Sequence, residues 1–428
     1  MTTMTSSARR TPAVSRATAL WTLAGLILLT VNLRAAITGV SPILGELKRQ
    51  FALTGFEVSV LTTLPVLCLG IFASVAPVLG RRLGTETAIT AALTMITVGI
   101  VLRIVPSPLA LFAGTVLAGA GIAMGNVLTP AVIKRVFPGR VGSLTGLSMM
   151  LMAASGAIAA GLAVPLDDSA GWRVALAVWA VPSLVAVLVW GPLALRGRRS
   201  ARPERAEAPA GGPQGTLLRS PLAWYVATFM GMASLMFYVL MSWLPEIMQD
   251  SGFAPAEAGM MVSVMMLIGI PLGYLVPVFA ARLRDQRLMV GAVGVSMVAG
   301  IGGMLFAPAL GWVWVSVLGL ATGSAFPLAY TLLNLRSLTP AVAARLSGMA
   351  QTAGYLLAGF GPLAVGTLHS LTGGWDVSLW LLLVLVVPEI VFGLLAARPG
   401  HVRPSGDHEE GPLEKLLEPE EAVAVTSR

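Results

Sequence analysis

The stretch RGRRSARPERAEAPAGGPQGTLLRS, residues 196–220, decides how the rest of the chain is read. It is rich in Arg, Pro, Gly and Ala and carries almost no large apolar side chain, whereas the tracts on either side consist largely of them. Such a composition reads as a flexible connector. Residues 18–195 and 221–397 each run as a ladder of apolar segments broken by short basic loops, and their landmarks recur at an offset of roughly 200. Trp21 is answered by Trp224, the Arg81-Arg82 pair by Arg282 and Arg284, Gly125 by Gly323, Gly146 by Gly348, and the Gly171-Trp172 corner by Gly374-Trp375. A duplicated bundle whose halves rock against each other is the architecture of a device that exposes one central site to each side of a membrane in turn.

Composition places the chain in a bilayer before any motif is read. Hydrophobic residues make up 56% and charged residues 11%, with a mean hydropathy of +0.83, against about 25% charge in a soluble domain. At about 20 apolar residues per crossing, the 428 residues allow about twelve spans. The expected fold is therefore an all-α membrane protein with twelve transmembrane helices in two pseudo-symmetric six-helix bundles. One span is expected over 56–79, another over 173–195 and the eleventh over 346–368. Residues 1–17 read as a cytoplasmic N-terminal tail, and 398–428 as an acidic, disordered tail carrying Asp407, Glu409, Glu410, Glu414, Glu418, Glu420 and Glu421. Arg9, Arg10 and Arg16 precede a long apolar segment that holds Arg34 and lacks a clean small-residue cleavage site, so an uncleaved first span is expected.

Charge gives the topology independently. With the N-terminus inside, the inner loops collect Arg81, Arg82, Lys134, Arg135, Arg140 and their second-half counterparts, while the outer loops hold Lys48, Arg49 and Arg173. The positive-inside rule then puts both termini in the cytoplasm of a multi-pass protein of a bacterial inner membrane. The formal charge of +8 is spread over many short loops with no binding fold around it, so the lipid bilayer and not nucleic acid is the expected partner. The single cysteine, Cys68, sits in the second span and reports nothing about redox compartment.

An enzyme is not expected. The three histidines are His369, His401 and His408, two of them in the tail, and there is no paired His-Glu helix motif, no Gly-x-Ser-x-Gly turn and no phosphate-cradling loop. No cofactor and no metal are expected, and the chain is expected to act as a monomer on a small-molecule solute. A drug or metabolite efflux carrier and a non-transporting membrane sensor remain as alternatives.

Chemistry concentrates at Arg34, some sixteen residues into the first helix by the expected boundary. A cation near a helix centre costs about 2.5–3.5 kcal/mol on insertion scales, so it is expected to face a cavity and not lipid. Thr30, Arg34 and Thr38 are spaced four apart and form one polar stripe.

Several stretches carry a resemblance. Val31-Asn32-Leu33-Arg34-Ala35-Ala36, the run Gly125-Asn126-Val127-Leu128 with Pro130 and Ile133-Lys134-Arg135, Thr145-Gly146-Leu147, Trp243-Leu244-Pro245 and Arg284-Asp285-Gln286-Arg287 resemble the cyanate and 2-nitroimidazole permease branch of the major facilitator superfamily. The resemblance implies that helices one, four, seven and ten line the central path. On them the polar and aromatic inventory is Asn32, Arg34, Asn126, Tyr238, Trp243, Tyr330 and Asn334, with Gln351 and Tyr355 as neighbours on helix eleven. It also implies cyanate, nitroimidazole or similar compounds as solutes, an implication that fits a planar guanidinium fork among aromatic faces.

One departure from the superfamily pattern falls between helices two and three. Arg81 stands where an Asp is expected, so Arg81 and Arg82 become gating candidates in need of other partners, with Glu86 as one. A coupled proton would need an intramembrane acid, and the deep one is Glu389 on helix twelve, a coupling candidate. Arg103, near the outer end of helix three, is expected to snorkel outward.

Overall fold

The computed structural model describes residues 16–207 and 216–402. The remaining parts of the N-terminal tail, the linker and the acidic tail lie outside the described residues. The first half comprises α1 (Arg16–Thr38), α2 (Leu44–Gln50), α3 (Gly55–Ala73), α4 (Ala76–Leu83), α5 (Thr85–Arg103), α6 (Pro108–Val136), α7 (Val141–Ala170), α8 (Trp172–Ala177) and α9 (Ala180–Glu207). The second comprises α10 (Pro221–Asp250), α11 (Pro255–Arg282), α12 (Arg287–Phe306), α13 (Gly311–Leu335), α14 (Pro340–Thr372) and α15 (Asp376–Ala396).

Among the described residues, ten helical stretches are long and apolar enough to cross a membrane, and the α3–α4 pair makes an eleventh. The span expected over 56–79 is thus formed by two pieces bent by 50°. Pro77 lies in the first turn of α4, and a proline there offers no N–H to Ala73 while its ring crowds the preceding turn. Helix α14 is long enough to cross but falls short in apolarity, since it holds Ser347, Gln351 and Tyr355 buried in the interior. The span expected over 173–195 stands as one apolar stretch, Trp172–Leu195, passing through a two-residue turn between α8 and α9, and α9 continues to Glu207, so the first part of the connector is helical.

The duplication read in the sequence reappears as repeated contacts. Arg135, at the end of α6, pairs with Glu86 in the first turn of α5; Arg336, just past α13, donates to Gln286, just before α12. Arg336 also caps α15, through Nε to Ala396 O and Nη2 to Ala397 O, both 2.8 Å. Glu86, the candidate partner for Arg81 and Arg82, is engaged by Arg135, which the end of α6 carries over the start of α5.

The halves meet along two matching seams, α7 on α11 and α14 on α3. At the linker end each seam closes on a glycine. A Cβ on Gly146 would stand 2.6 Å from the Tyr274 carbonyl oxygen, and one on Gly348 would stand 3.0 Å from that of Ala73 and 2.8 Å from Pro77 Cγ. Such approaches need a residue with no side chain.

Candidate solute-binding site between the halves

Helix α1 packs on α7, and the contact is built around Gly156. The Thr38 hydroxyl donates to the Gly156 carbonyl at 2.9 Å, and a Cβ at position 156 would lie 2.7 Å from Cγ of Arg34. The stem of Arg34 therefore runs along α7 over a glycine, and its head is carried toward the second half. There the phenols of Tyr238 on α10 and Tyr355 on α14 lie within electrostatic range of the guanidinium. Tyr330 of α13 lies within the same range of Tyr355 and donates its hydroxyl to the Asn126 carbonyl of α6 at 2.6 Å, a bond between the halves. Arg34, Tyr238, Tyr330, Tyr355 and Asn126 are thus brought together across the seam from five different helices.

Among the described residues, no hydrogen bond or ion pair holds the Arg34 guanidinium or the hydroxyls of Tyr238 and Tyr355. Nearby polar atoms are also unsatisfied: Asn126 Oδ1 and Gln351 Oε1 are buried without a protein partner, although Gln351 Nε2 donates to Ser347 Oγ at 2.7 Å. Buried acceptors left this way cost about 1–3 kcal/mol each.

Other expected site residues are engaged elsewhere. Thr30 is fully buried and donates to Leu26 and Ile27 carbonyls of its own helix. Asn32 is 2% exposed and donates to Leu28 O at 2.7 Å. Spacing places Thr30 on the stripe of Arg34, but packing against the neighbouring helices closes that turn, and its hydroxyl bonds backward along α1. Trp243 donates to Pro362 O at 2.8 Å and stacks obliquely on Trp375, which fixes it in the α10–α14 packing. Asn334 lies at the linker end, where its carbonyl accepts from Lys134 Nζ at 2.7 Å across the halves. Lys134 is a contact that loop-charge reasoning missed; the signal was its place in the last turn of α6.

Four further positions concern charge. Arg81 and Arg82 are exposed at the end of α4. Glu389 is 1% exposed and both of its carboxylate oxygens are buried without a partner. It sits on α15, which packs on α10 and α12 away from α1. Arg103 corrects the outward-snorkelling expectation: it is 2% exposed and turns inward to donate to Ala36 O of α1 at 2.6 Å. The carbonyls at the end of α1 lack helical donors, and this one attracts the guanidinium. No group of three His, Cys, Asp or Glu among the described residues is placed to hold a metal.

Two pseudo-equivalent six-helix lobes around a shared polar cluster define a multi-pass membrane carrier. Residues 20–362 match the Major Facilitator Superfamily, and the chain belongs to that family. It is 37% identical over 382 residues to the 2-nitroimidazole transporter of Escherichia coli K12, covering 89% of this chain and 96% of that one. It is 30% identical to the cyanate transport protein CynX of the same organism, covering 82% and 90% of the two chains. Among solved structures, the proton:xylose symporter XylE superposes with a TM-score of 0.73 at 13% identity, covering 94% of this chain and 99% of that one. FucP, in an outward conformation, superposes with 0.71 at 14% identity, covering 88% and 99%. At such identity the two structures speak for the fold.

Proposed function

We propose that this transporter is a secondary carrier that moves a small polar or anionic solute across a bacterial inner membrane by alternating access, with Arg34 as the main solute contact. The observation that carries the reading is a guanidinium on α1, held over Gly156, within electrostatic range of two tyrosines of the other half and joined to no carboxylate among the described residues. An uncompensated cation at that depth favours a solute that brings the counter-charge. A planar donor fork suits carboxylate, cyanate or nitro oxygens, and tyrosine rings suit a flat body. The names of the relatives agree with that class: 2-nitroimidazole and cyanate transporters, and over 123 residues at 39% identity a putative anionic 4-hydroxybenzoate permease of Thauera aromatica.

Access alternates, in this reading, by rocking of the two halves about the paired seams, and the bonds of Lys134 and Tyr330 between the halves support a state closed at the linker end. The distribution of basic residues over the loops supports a cytoplasmic side for that end and for both termini. Arg81 and Arg82 stay gating candidates, and Glu389 a candidate for carrying a coupled proton. The deciding experiment is counterflow in proteoliposomes with Arg34→Ala. Saturable uptake of an anionic solute is expected to vanish while the protein still inserts and melts cooperatively; unaltered kinetics would remove Arg34 from the site.

A further inference from the structure

A second guanidinium lies against the same helix turn, and the solute contacts proposed above do not use it. Arg103 ends α5, is 2% exposed, and reaches α1 at Ala36, two residues beyond Arg34. Its stem crosses α6 over Gly114, where a Cβ would stand 2.9 Å from Arg103 Cγ, and its Nε is buried with no partner. Cys68 of α3 lies within electrostatic range, and among the described residues no carboxylate pairs with it: Glu46 is bound by Arg49, Glu57 by Thr54 and Glu86 by Arg135, and Asp167 lies beside Asp168, Glu46 and Arg49. The carbonyl end of a helix supplies only about half an elementary charge. A buried cation compensated to that degree is costly to keep unless something gains from its field.

We propose, resting on the anion-site reading, that Arg103 is a positioning and specificity-determining residue: it clamps the last turn of α1 behind Arg34, and its only partly compensated charge favours anions over uncharged isosteres without touching the solute. Arg34 faces the space between the halves and Arg103 bonds the turn from within the first half. An anion in the seam meets the fields of both groups, whereas a neutral solute gains only the hydrogen bonds of Arg34. One elementary charge acting over about 10 Å at an effective dielectric of about 20 changes affinity by about tenfold.

The test uses full-length protein in liposomes with 4-hydroxybenzoate and its uncharged amide as matched probes, read by counterflow and by ligand-induced thermal stabilisation. Arg103→Gln is expected to raise KM for the carboxylate about tenfold while the amide stays within about twofold. Arg103→Lys keeps the charge and a donor for Ala36 O, so the preference for the carboxylate should persist with both affinities within about twofold of the unaltered protein. Equal losses for both probes in Arg103→Gln, or no change in either, overturn the proposal. Should that variant fail to insert, Arg103→Lys decides alone, and disappearance of its carboxylate preference overturns the proposal. If Arg34→Gln loses the carboxylate and Arg103→Gln does not, this inference falls and the anion site stands; if the unaltered protein ignores the carboxylate, the anion-site reading falls and takes this one with it.

Discussion

At the scale of single residues, what matters is where a polar atom finds its partner. Thr30, Asn32 and Trp243 bond to backbone carbonyls, while the Arg34 head and the Tyr238 and Tyr355 hydroxyls have no partner among the described residues. Position 156 separates the two groups experimentally. Gly156→Ala puts a methyl 2.7 Å from Arg34 Cγ, an overpacking that costs about 1–3 kcal/mol unless the arginine moves. KM for an anionic solute should rise several-fold with insertion unaffected. Gly161→Ala, where a Cβ meets nothing within 4 Å, should be silent. Identical kinetics in both variants would detach Arg34 from α7. Trp243→Phe should lower thermal stability by about 0.5–1.5 kcal/mol, the worth of one hydrogen bond, and leave KM alone. One cation in an apolar run singles out Arg34 in the sequence; Tyr238 and Tyr355, over two hundred residues away, enter its company only through the family resemblance, which does not separate them from Asn32 and Trp243, bonded elsewhere.

At the scale of elements, helix ends do much of the work. The capping box of Thr54 and Glu57 starts α3: the Thr54 backbone N–H and hydroxyl donate to the Glu57 carboxylate, both at 2.8 Å, and hold it below its usual range. A depressed folded-state pKa stabilises above the unfolded value and is lost as pH falls through the folded one. Thr54→Ala should lower the melting midpoint by a few degrees at pH 7, and the difference from the unaltered protein should shrink in melts taken below about pH 4. At the other end of the bundle, α6 and α13 are joined by Lys134 to Asn334 O and by Tyr330 to Asn126 O. Lys134→Met and Tyr330→Phe should each raise the population open at the linker end by about tenfold, the effect of some 1.4 kcal/mol. Spin labels at Arg140 and Leu338, both exposed, would read it as a longer distance component, with Cys68 replaced to free the chemistry. An unchanged distribution would mean that these bonds do not latch the halves.

At the scale of the whole molecule, the two seams are copies, and equal perturbations should act alike. Gly146→Val and Gly348→Val strike Tyr274 and Ala73 respectively, at equivalent places in the duplicated plan. Each should cut transport by more than tenfold while solute still stabilises the protein against heat, because the closed linker end is disfavoured and not the site. Gly359→Val, placed in open space, is the control. A loss in one seam variant and not the other would show that the halves do not share the rocking motion equally.

The sequence by itself determined that the chain is an all-helical membrane protein, that its landmarks recur, and that a cation lipid would reject lies in the first helix, because hydropathy and its period are local properties that no packing can reverse. Only the tertiary structure decided which face each polar residue turns, that α3 and α4 bend, that Arg103 points inward to α1, and that Arg34 meets tyrosines of the other half. Those outcomes depend on close approaches at glycines and on carbonyls left open at helix ends, and a partner for either is chosen by geometry in space and not by spacing along the chain.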